Sequence, residues 1–304
     1  PQPIPKNLKL SRGYSPNPTN HLTEHLAAVK PSGLDCFYLN FEHALMKLYH
    51  NPMSTCSQKV RLVLAEKQLD FESVILDLQG GAQFEPEYLE LNPQAVVPTL
   101  VHQNRSITES TLINEYLEDC YPEPSLSPKT AIERYEQRAF CKLLDDRLHP
   151  ACGVITYAIG ARPGLLLKPK AELAALLAQI PDEARRRHRA MVIQDGIKAP
   201  IFTTALAAYL QVLDFAEARL ALTPFLAGAR TSLADFALAP YVLRLEHLAM
   251  AKVLACYPAL TAWYQVISAR KSYQIAIDDW LPKAAVASFK AAGEAVISEI
   301  PFPE

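Results

Sequence analysis

Apolar positions recur with two different spacings along this chain, and the first spacing change lies near its beginning. A short apolar run, "KLY", precedes the helical pattern of "TCSQKVRLVLAEKQL", and the strand-like "FESVILDL" follows it. A strand, a helix and a strand in this order predict a right-handed crossover that joins two parallel strands. The predicted helix packs through a set of branched aliphatic side chains: Val60, Leu62, Val63, Leu64 and Leu69.

The next stretch completes an α/β pattern. "FEPEYLELN" predicts a short helix, "PTLVH" and "RSIT" predict a hairpin around "QN", and "ESTLINEYLEDCYP" predicts a helix that Pro122 ends. The resulting order of elements, βαβ followed by α, ββ and α, is that of a thioredoxin-like domain. We assign this domain to residues 46–124.

After the proline-rich stretch "YPEPSLSPKT", helical spacing continues to about residue 292 and strand patterns are absent from the sequence. We therefore predict an all-helical domain over residues 125–304, and the fold class is α/β plus all-α. Ser232 precedes Asp235 by three residues, which predicts a capping box and a helix start. The first helix of this domain is predicted from Ile132, Tyr135, Phe140, Leu143, Leu144 and Leu148.

Residues 1–45 do not fit either pattern, and we treat them as an N-terminal extension of unknown role. Their segment "HLTEH", His21 to His25, matches the H-x-x-E-H pattern of a zinc metalloprotease family. Because it lies in the extension and not in a domain, we interpret it as a chance match. We predict no metal site.

Composition narrows the classes of partner. Half of the 304 residues are hydrophobic, and 30 basic against 32 acidic residues give a net charge of -2. This balance gives no electrostatic case for a nucleic-acid or membrane partner. We interpret the basic run "ARRRHR", Ala184 to Arg189, as a solvated helix face. No apolar stretch is long enough to span a membrane and no signal-peptide pattern begins the chain, so we predict a cytoplasmic protein.

Six cysteines are scattered without a CxxC motif or a repeated spacing. This pattern argues against a disulfide framework and against a zinc site. Cys56 differs from the others because it lies at the start of a predicted helix, beside Ser54, Thr55 and Ser57. Hydroxyl and N–H groups at a helix N-terminus stabilise a thiolate, so this turn is the first candidate for chemistry.

Two further segments complete a candidate site. Val97 precedes Pro98 at the start of a predicted strand, and a cis bond there would turn the Val97 N–H and C=O outward, where an extended peptide can pair with them. Glu109, Ser110 and Thr111 begin a predicted helix, whose free N–H groups favour a carboxylate while Glu109 receives an ammonium. Those charges match the γ-glutamyl end of glutathione.

Taken together, the strand–turn–helix, the Val97–Pro98 dipeptide, the "TES" at Thr108 to Ser110 and the capping box resemble the glutathione transferase superfamily. The resemblance runs from Met46 to about Tyr273. It implies glutathione as the cofactor, and the run "STCSQKVR" is similar to the serine-type classes, in which it places the catalytic serine on Ser54. The implied glutathione-binding residues are Ser54, Val97, Pro98, Glu109 and Ser110.

Cys56 is the rival nucleophile, because a helix N-terminus also acidifies a cysteine thiol. We favour Ser54 since the serine-type pattern then aligns without a gap; a packing role for Cys56 stays open. The chain also departs from the family pattern, with Val96 where several classes carry a glutamine near the glycyl carboxylate of glutathione. Gln83 and Gln94 are the candidate substitutes.

A long insert, residues 161–200, interrupts the helical domain and resembles that of bacterial β-aryl etherases and their relatives. The resemblance implies a transferase whose glutathione thiolate attacks a small hydrophobic aromatic electrophile, with cleavage of a β-aryl ether as one form. Candidate walls of the substrate site are His149, Ile155 and Tyr157, each with a packing interpretation beside it. The alternatives are a zeta-type glutathione-dependent isomerase and a non-catalytic binding module. The superfamily also implies a homodimer.

Overall fold

The computed structural model of the protein describes residues 46–302, so the extension and its "HLTEH" segment lie outside the described residues. The predicted order of the first elements is confirmed. The strands and helices of this part are β1 Met46–His50, α1 Thr55–Glu66, β2 Phe71–Ile75, α2 Pro86–Leu91, β3 Thr99–His102, β4 Arg105–Ile107 and α3 Ser110–Cys120.

The strands form one mixed sheet in the order β2-β1-β3-β4. β1 pairs with β2 in parallel, as the crossover predicts, with Met46 opposite Phe71. β3 pairs with β1 and with β4 in antiparallel fashion, so the predicted hairpin is confirmed. This arrangement is a thioredoxin-like sheet, and it brings the end of β1 and the segment before β3 to neighbouring positions.

The remainder of the described chain is helical, as predicted. Its helices are α4 Ala131–Leu143, α5 His149–Ala158, α6 Arg162–Leu166, α7 Lys170–Ala178, α8 Glu183–Asp195, α9 Pro200–Leu220, α10 Leu233–His247, α11 Pro258–Ser268, α12 Lys271–Ala276 and α13 Lys283–Glu294. The insert supplies α6, α7 and α8.

The first helix of this part is not regular along its length. A π-helical turn, Leu144–Leu148, joins α4 to α5, and Pro150 falls in the first turn of α5, where proline is tolerated. The wider turn directs the start of α5, and therefore His149, toward the N-terminal turn of α1. The sequence pattern predicted a helix here without this irregularity.

The capping box that starts α10 is confirmed. A carboxylate oxygen of Asp235 accepts hydrogen bonds from the Ser232 N–H and from the Ser232 hydroxyl, both at 2.8 Å. The other oxygen accepts from Leu226 N–H at 3.0 Å and from Trp263 Nε1 at 2.8 Å. Burial raises the pKa of Asp235, while these donors oppose that shift.

Helix α1 is the centre of the packing. Val60, Leu62, Val63 and Leu64 are completely buried, as predicted, whereas Leu69 beyond the helix is half-buried. The helix contacts α3 on one side and α10 and α12 on the other. Because α1 is enclosed by both parts of the chain, the groups at its N-terminus are held firmly against the helical part.

Two of the apolar residues that predicted α4 are exposed on it. Ile132 is 63% exposed and Tyr135 is 66% exposed, so neither packs in the core. Leu112 on the neighbouring α3 is 60% exposed. The helices α3 and α4 therefore each expose large apolar side chains in the described structure.

No single helix among residues 46–302 has the length and apolarity to cross a membrane. The segments 183–198 and 200–220 meet those limits only when taken together, and they are bent by 87° at their junction.

Candidate functional site

The turn between β1 and α1 places Ser54 at the N-cap of α1. Ser54 has an extended backbone, and its Oγ accepts a hydrogen bond from Ser57 N–H at 3.3 Å. Ser54 N–H donates to the Asn51 carbonyl at 3.1 Å, and the Asn51 side chain accepts from Met53 N–H at 2.9 Å. The Ser54 oxygen therefore serves as the helix cap, while its hydroxyl proton stays available to an external acceptor.

Arg61, on the next turns of α1, supports this segment from beneath. Its guanidinium donates to the carbonyls of Asn51 and Pro52 at 3.3 and 3.2 Å, and to that of Ala276 at 2.8 Å. It also contacts His50 Nδ1 at 3.0 Å. Burial lowers the pKa of Arg61 to about 9, so the side chain is charged at neutral pH. The buried cation of Arg61 thus helps to fix the Ser54 turn to the helical part.

The Val97–Pro98 peptide bond is cis, as the sequence allowed. Within residues 46–302, neither the N–H nor the C=O of Val97 has a hydrogen-bond partner. The preceding residue differs, because the Val96 carbonyl accepts from Asn92 Nδ2 and from the Tyr88 hydroxyl. Val97 therefore presents the backbone groups to which an added strand can pair.

The N-terminus of α3 carries the second predicted cluster. Ser110 is buried and Glu109, which is exposed, has φ 65°, in the left-handed region that side chains other than glycine rarely occupy. No side chain caps this end of α3. Its first N–H groups are therefore open to an anion, as the sequence predicted.

Cys56 lies in the first turn of α1, and its thiol faces the helical part. Its Sγ lies 3.4 Å from His149 Nδ1 and 4.0 Å from the Tyr241 hydroxyl oxygen. The Tyr241 oxygen and His149 Nδ1 are 3.2 Å apart. Cys56 is half-buried and His149 is exposed, so the three groups form a cluster that small reagents can reach.

Several neighbours act on the thiol at once. Burial raises the pKa of Cys56, but the charge and hydrogen bond of His149, the charge of Lys59 and the hydroxyl of Ser110 together lower it to about 6. The thiolate in turn raises the pKa of His149. Ser110, at the N-terminus of α3, is therefore near enough to Cys56 to act on its pKa.

Lys59 is fully buried one turn beyond Cys56. Its Nζ donates to Thr111 Oγ1 at 3.0 Å and to Asp145 Oδ1 at 3.1 Å. The ammonium thus joins α1 to α3 and to the π-helical turn. It also places a positive charge beneath the cluster, where it favours anions.

A cavity of about 430 Å³ opens beside these groups. We call its two sides the small-domain wall, which includes Ser54, Thr55, Gln83, Val96 and Val97, and the helical wall, which includes His149, Tyr157, Leu173, Leu176, Arg189 and Arg244. The cavity size is in the range of small-molecule sites.

Of the predicted binding residues, Ser54 and Val97 lie together on the cavity, while Pro98 is buried behind Val97. Glu109 and Ser110 are at the end of α3 and do not line the cavity; Ser110 instead lies near Cys56.

The candidate wall residues of the substrate site lie in two different environments. His149 and Tyr157 line the cavity, whereas Ile155 is 1% exposed and belongs to the core. Gln83 is buried on the cavity and Gln94 is exposed away from it. The interpretation of "ARRRHR" as a solvated face is wrong for two of its members, because Arg185 and Arg189 line the cavity.

Two family models match the chain: "Glutathione S-transferase, N-terminal domain" over residues 48–125 and "Glutathione S-transferase, C-terminal domain" over residues 180–271. Glutathione S-transferase 3 of Zea mays is 31% identical over 235 residues, which are 76% of this chain and 92% of that protein. The chain belongs to the glutathione S-transferase family. Glutathione is the cosubstrate of this family.

Two other relatives are named for a specific activity. The tetrachloro-p-hydroquinone reductive dehalogenase of Sphingobium chlorophenolicum is 31% identical over 246 residues, 76% of this chain and 95% of that one. The crystal structure of the β-etherase LigF from Sphingobium sp. strain SYK-6 has a TM-score of 0.71 and 25% identity, and the match covers 77% of this chain and 99% of that chain. The predicted similarity to etherase-like transferases is confirmed.

Ser54 and Val97 line the cavity with a hydroxyl and unpaired backbone groups, and the uncapped end of α3 lies outside its lining. Groups of these kinds bind the backbone and a carboxylate of a peptide such as glutathione. The sequence alone missed the contributions of His149 and Tyr241 to the Cys56 cluster. They lie 93 and 185 residues from Cys56, and no local pattern connects them to it.

Proposed function

We propose that this protein is a glutathione transferase in which the Ser54 hydroxyl donates a hydrogen bond to the glutathione sulfur and stabilises it as a thiolate. When bound, glutathione supplies the nucleophile. The observation that carries the proposal is the position of Ser54, at the N-cap of α1 and on a cavity of about 430 Å³. Each unit by which the thiol pKa drops corresponds to about 1.4 kcal/mol of preferential stabilisation of the anion.

The other small-domain residues hold the tripeptide in this proposal. Val97 pairs with its backbone because both main-chain groups of Val97 are unpaired within residues 46–302. The cis bond to Pro98 sets their orientation. Ser110 and the first N–H groups of α3 donate hydrogen bonds to the γ-glutamyl carboxylate, and Glu109 binds its ammonium.

The second substrate is a hydrophobic aromatic electrophile, and cleavage of a β-aryl ether is the specific reaction that we propose. The leucines of the helical wall and the likeness to LigF support this choice. In that reaction a carbon–sulfur bond to glutathione forms, the β-carbon–oxygen bond breaks, and the phenolate leaves with the electron pair. Holding both reactants in one cavity supplies the proximity that such a displacement requires.

Ser54→Ala tests the role of Ser54. We expect the transferase rate to fall by about ten- to a hundredfold, because hydrogen bonds to charged groups contribute roughly 1.5–3 kcal/mol. Ser54→Thr, which keeps a hydroxyl and a cap, is the control. Equal rates for Ser54→Ala and the parent protein would reject the proposed role.

A second candidate function is thiol–disulfide exchange at Cys56, favoured by the 3.4 Å contact between its sulfur and His149. The Cys56 thiolate would attack the sulfur of a glutathione mixed disulfide and release the other thiolate, and a second glutathione would then restore the thiol as glutathione disulfide forms. Activity toward such disulfides that disappears in Cys56→Ser but persists in Ser54→Ala would establish this function.

Two alternatives from the sequence are distinguished by assay. Turnover of maleylacetoacetate in preference to an aryl halide and a β-aryl ether would indicate the zeta-type isomerase. Failure to bind a glutathione resin would indicate a non-catalytic module. Product analysis with the three substrates separates the isomerase from the transferase.

The homodimer is likewise a proposal. The exposed apolar side chains of Leu112, Ile132 and Tyr135 support it, because they present on α3 and α4 the kind of surface that subunits cover. Sedimentation analysis of the protein and of Tyr135→Glu tests it, with dissociation of the variant as the expected result. Cytoplasmic location and the boundaries of the two domains stay predictions.

A further inference from the structure

The helical wall combines an apolar surface with an unusual number of cations. Most of its apolar residues come from the insert: Leu165, Leu173, Leu176, Leu177, Ile180 and Ile193. Between these apolar residues, α8 contributes Arg185 and Arg189 to the cavity lining, and α10 contributes Arg244. Three guanidinium groups therefore face one cavity that is otherwise lined largely by aliphatic side chains.

None of these three arginines has a carboxylate within ion-pair distance among residues 46–302. Asp77 is the sole carboxylate residue of the described chain that lines the cavity. It is exposed, and its Oδ1 already accepts the N–H of Gln79 at 3.0 Å. The described walls thus carry more positive than negative charge.

The contacts of the arginines leave donors available. Arg189 stacks on Tyr157, with its Cζ 3.1 Å from the ring centroid, and Arg185 Nη2 donates to the Gln94 carbonyl at 2.7 Å. Arg244 is 3% exposed and donates to the Met53 carbonyl. Its buried Nε has no hydrogen-bond partner among the described residues. A buried, unpaired donor next to a cavity calls for an acceptor in the ligand.

We propose that the electrophile carries an anionic group on an aromatic body, and that Arg185, Arg189 and Arg244 bind this anion. Carboxylate, sulfonate and phenolate oxygens match the planar donor array of a guanidinium, while the insert leucines cover the ring. The identification of this ligand as the electrophile rests on the proposed transferase function, but anion binding itself requires no turnover.

The test compares two fluorescent probes with the same aromatic framework. Anilinonaphthalene sulfonate carries one negative charge, and N-phenylnaphthylamine carries none. We titrate both into the full-length protein and its variants in the presence of saturating glutathione. We expect Arg189→Met and Arg185→Met to weaken binding of the sulfonate by about tenfold or more, with little effect on the neutral probe.

Arg187→Met is the matched control, because Arg187 is exposed on the same helix and does not line the cavity. It should leave both affinities unchanged. Thermal unfolding of each variant establishes that the comparison concerns folded protein. Equal losses of affinity for the two probes would overturn the inference. So would a loss of sulfonate affinity in Arg187→Met as large as that in Arg189→Met.

Glutathione also carries carboxylates, so the experiment must distinguish binding of glutathione by the arginines from binding of the anionic second substrate. If glutathione displaces the sulfonate competitively, the arginines serve the tripeptide and the inference fails. If both bind together, the anion site belongs to the second substrate.

A kinetic experiment compares chloronitrobenzoate, which carries a carboxylate, with the uncharged chlorodinitrobenzene. Arg189→Met should lower kcat/KM for the carboxylate substrate alone. Selective anion binding by a protein without transferase activity would reject the proposed function and the identification of the ligand as the electrophile, and it would leave the anion site of the arginines standing.

Discussion

The small-domain wall and the helical wall of the cavity differ in the kind of group that each presents. The small-domain wall offers a helix cap and unpaired backbone groups, at Ser54 and Val97. The helical wall offers side chains, namely Arg189, Tyr157 and the insert leucines. Backbone positions follow from the order of strands and helices, whereas side-chain walls depend on which helices meet. In the proposed function the first wall therefore binds the invariant cosubstrate, and the second wall selects the electrophile.

The largest expected effect concerns the support of the small-domain wall. Arg61→Met should lower the free energy of unfolding by about 3 kcal/mol or more, because the carbonyls of Asn51, Pro52 and Ala276 would lose a charged donor. Chemical denaturation measures the change. Arg138→Met is the control, since the pair of Arg138 with Glu115 is largely exposed and should contribute at most about 1 kcal/mol. Similar losses for both variants would contradict the support role of Arg61.

The next effect is a dependence of stability on pH. Burial, with the charge of Arg61, lowers the pKa of His50 from 6.5 to about 3, and burial with Arg244 does the same for His247. Both are neutral in the folded protein and become protonated in the unfolded chain below pH 6.5. Stability present above pH 6.5 is therefore lost as the pH falls toward 3.

Each histidine contributes a slope of about 1.4 kcal/mol per pH unit within that window. Denaturation curves between about pH 6.5 and 5 avoid the titration of most carboxylates and measure this slope. His50→Gln should reduce the slope of the unfolding free energy against pH by the contribution of one histidine. An unchanged slope would mean that His50 is not held neutral by its surroundings.

A smaller effect is expected in the reactivity of Cys56. Its thiol, with a pKa of about 6, should be alkylated half-maximally near pH 6, whereas burial raises the pKa of Cys141 to about 12 and keeps that thiol unreactive. His149→Asn should shift the Cys56 profile to higher pH, since His149 supplies the nearest charge. Peptide mass analysis of iodoacetamide-treated protein follows both cysteines. An unchanged pH profile of Cys56 alkylation in His149→Asn would contradict the influence of His149 on the Cys56 thiol.

The smallest effect concerns the dual role of Ser54. Loss of its cap in Ser54→Ala should cost about 1 kcal/mol of stability, and Ser54→Asn should retain most of it because Asn also caps a helix. Both variants lack the proposed thiolate-stabilising hydroxyl and should show the same fall in transferase rate, about ten- to a hundredfold. Thr130→Ala removes the N-cap of α4 and is the control, with a similar loss of stability and no loss of activity.

The comparison of the two walls also explains what the sequence alone predicted. The element order, the hairpin, the start of α1 at Thr55 and the start of α10 after Ser232 all depend on residues within a few positions of each other, and all are confirmed. The contact between Cys56 and His149 spans 93 positions, and that between Arg61 and the Ala276 carbonyl spans 215. Such contacts depend on tertiary packing and leave no periodic signal.

The basic run is the clearest example of this limit. A helix with several arginines has the pattern of a solvated face, and the pattern is correct for exposed Arg187. Whether Arg185 and Arg189 point to solvent or to a cavity depends on where α8 packs, which adjacent sequence does not encode. Ile132 and Tyr135 show the converse, since their apolar spacing correctly predicted a helix but did not reveal that both side chains are exposed in the described structure.

The most direct test of the central role of Ser54 is a titration of the glutathione thiol bound to the protein, followed by thiolate ultraviolet absorbance. In the parent protein its pKa should lie below the value of about 8.5 for a free cysteine thiol, and in Ser54→Ala it should rise by roughly 1–2 units. The Cys56→Ser variant, measured in parallel, lacks the Cys56 thiolate, so its absorbance change comes from bound glutathione. An identical pKa for bound glutathione with and without the Ser54 hydroxyl would contradict the account.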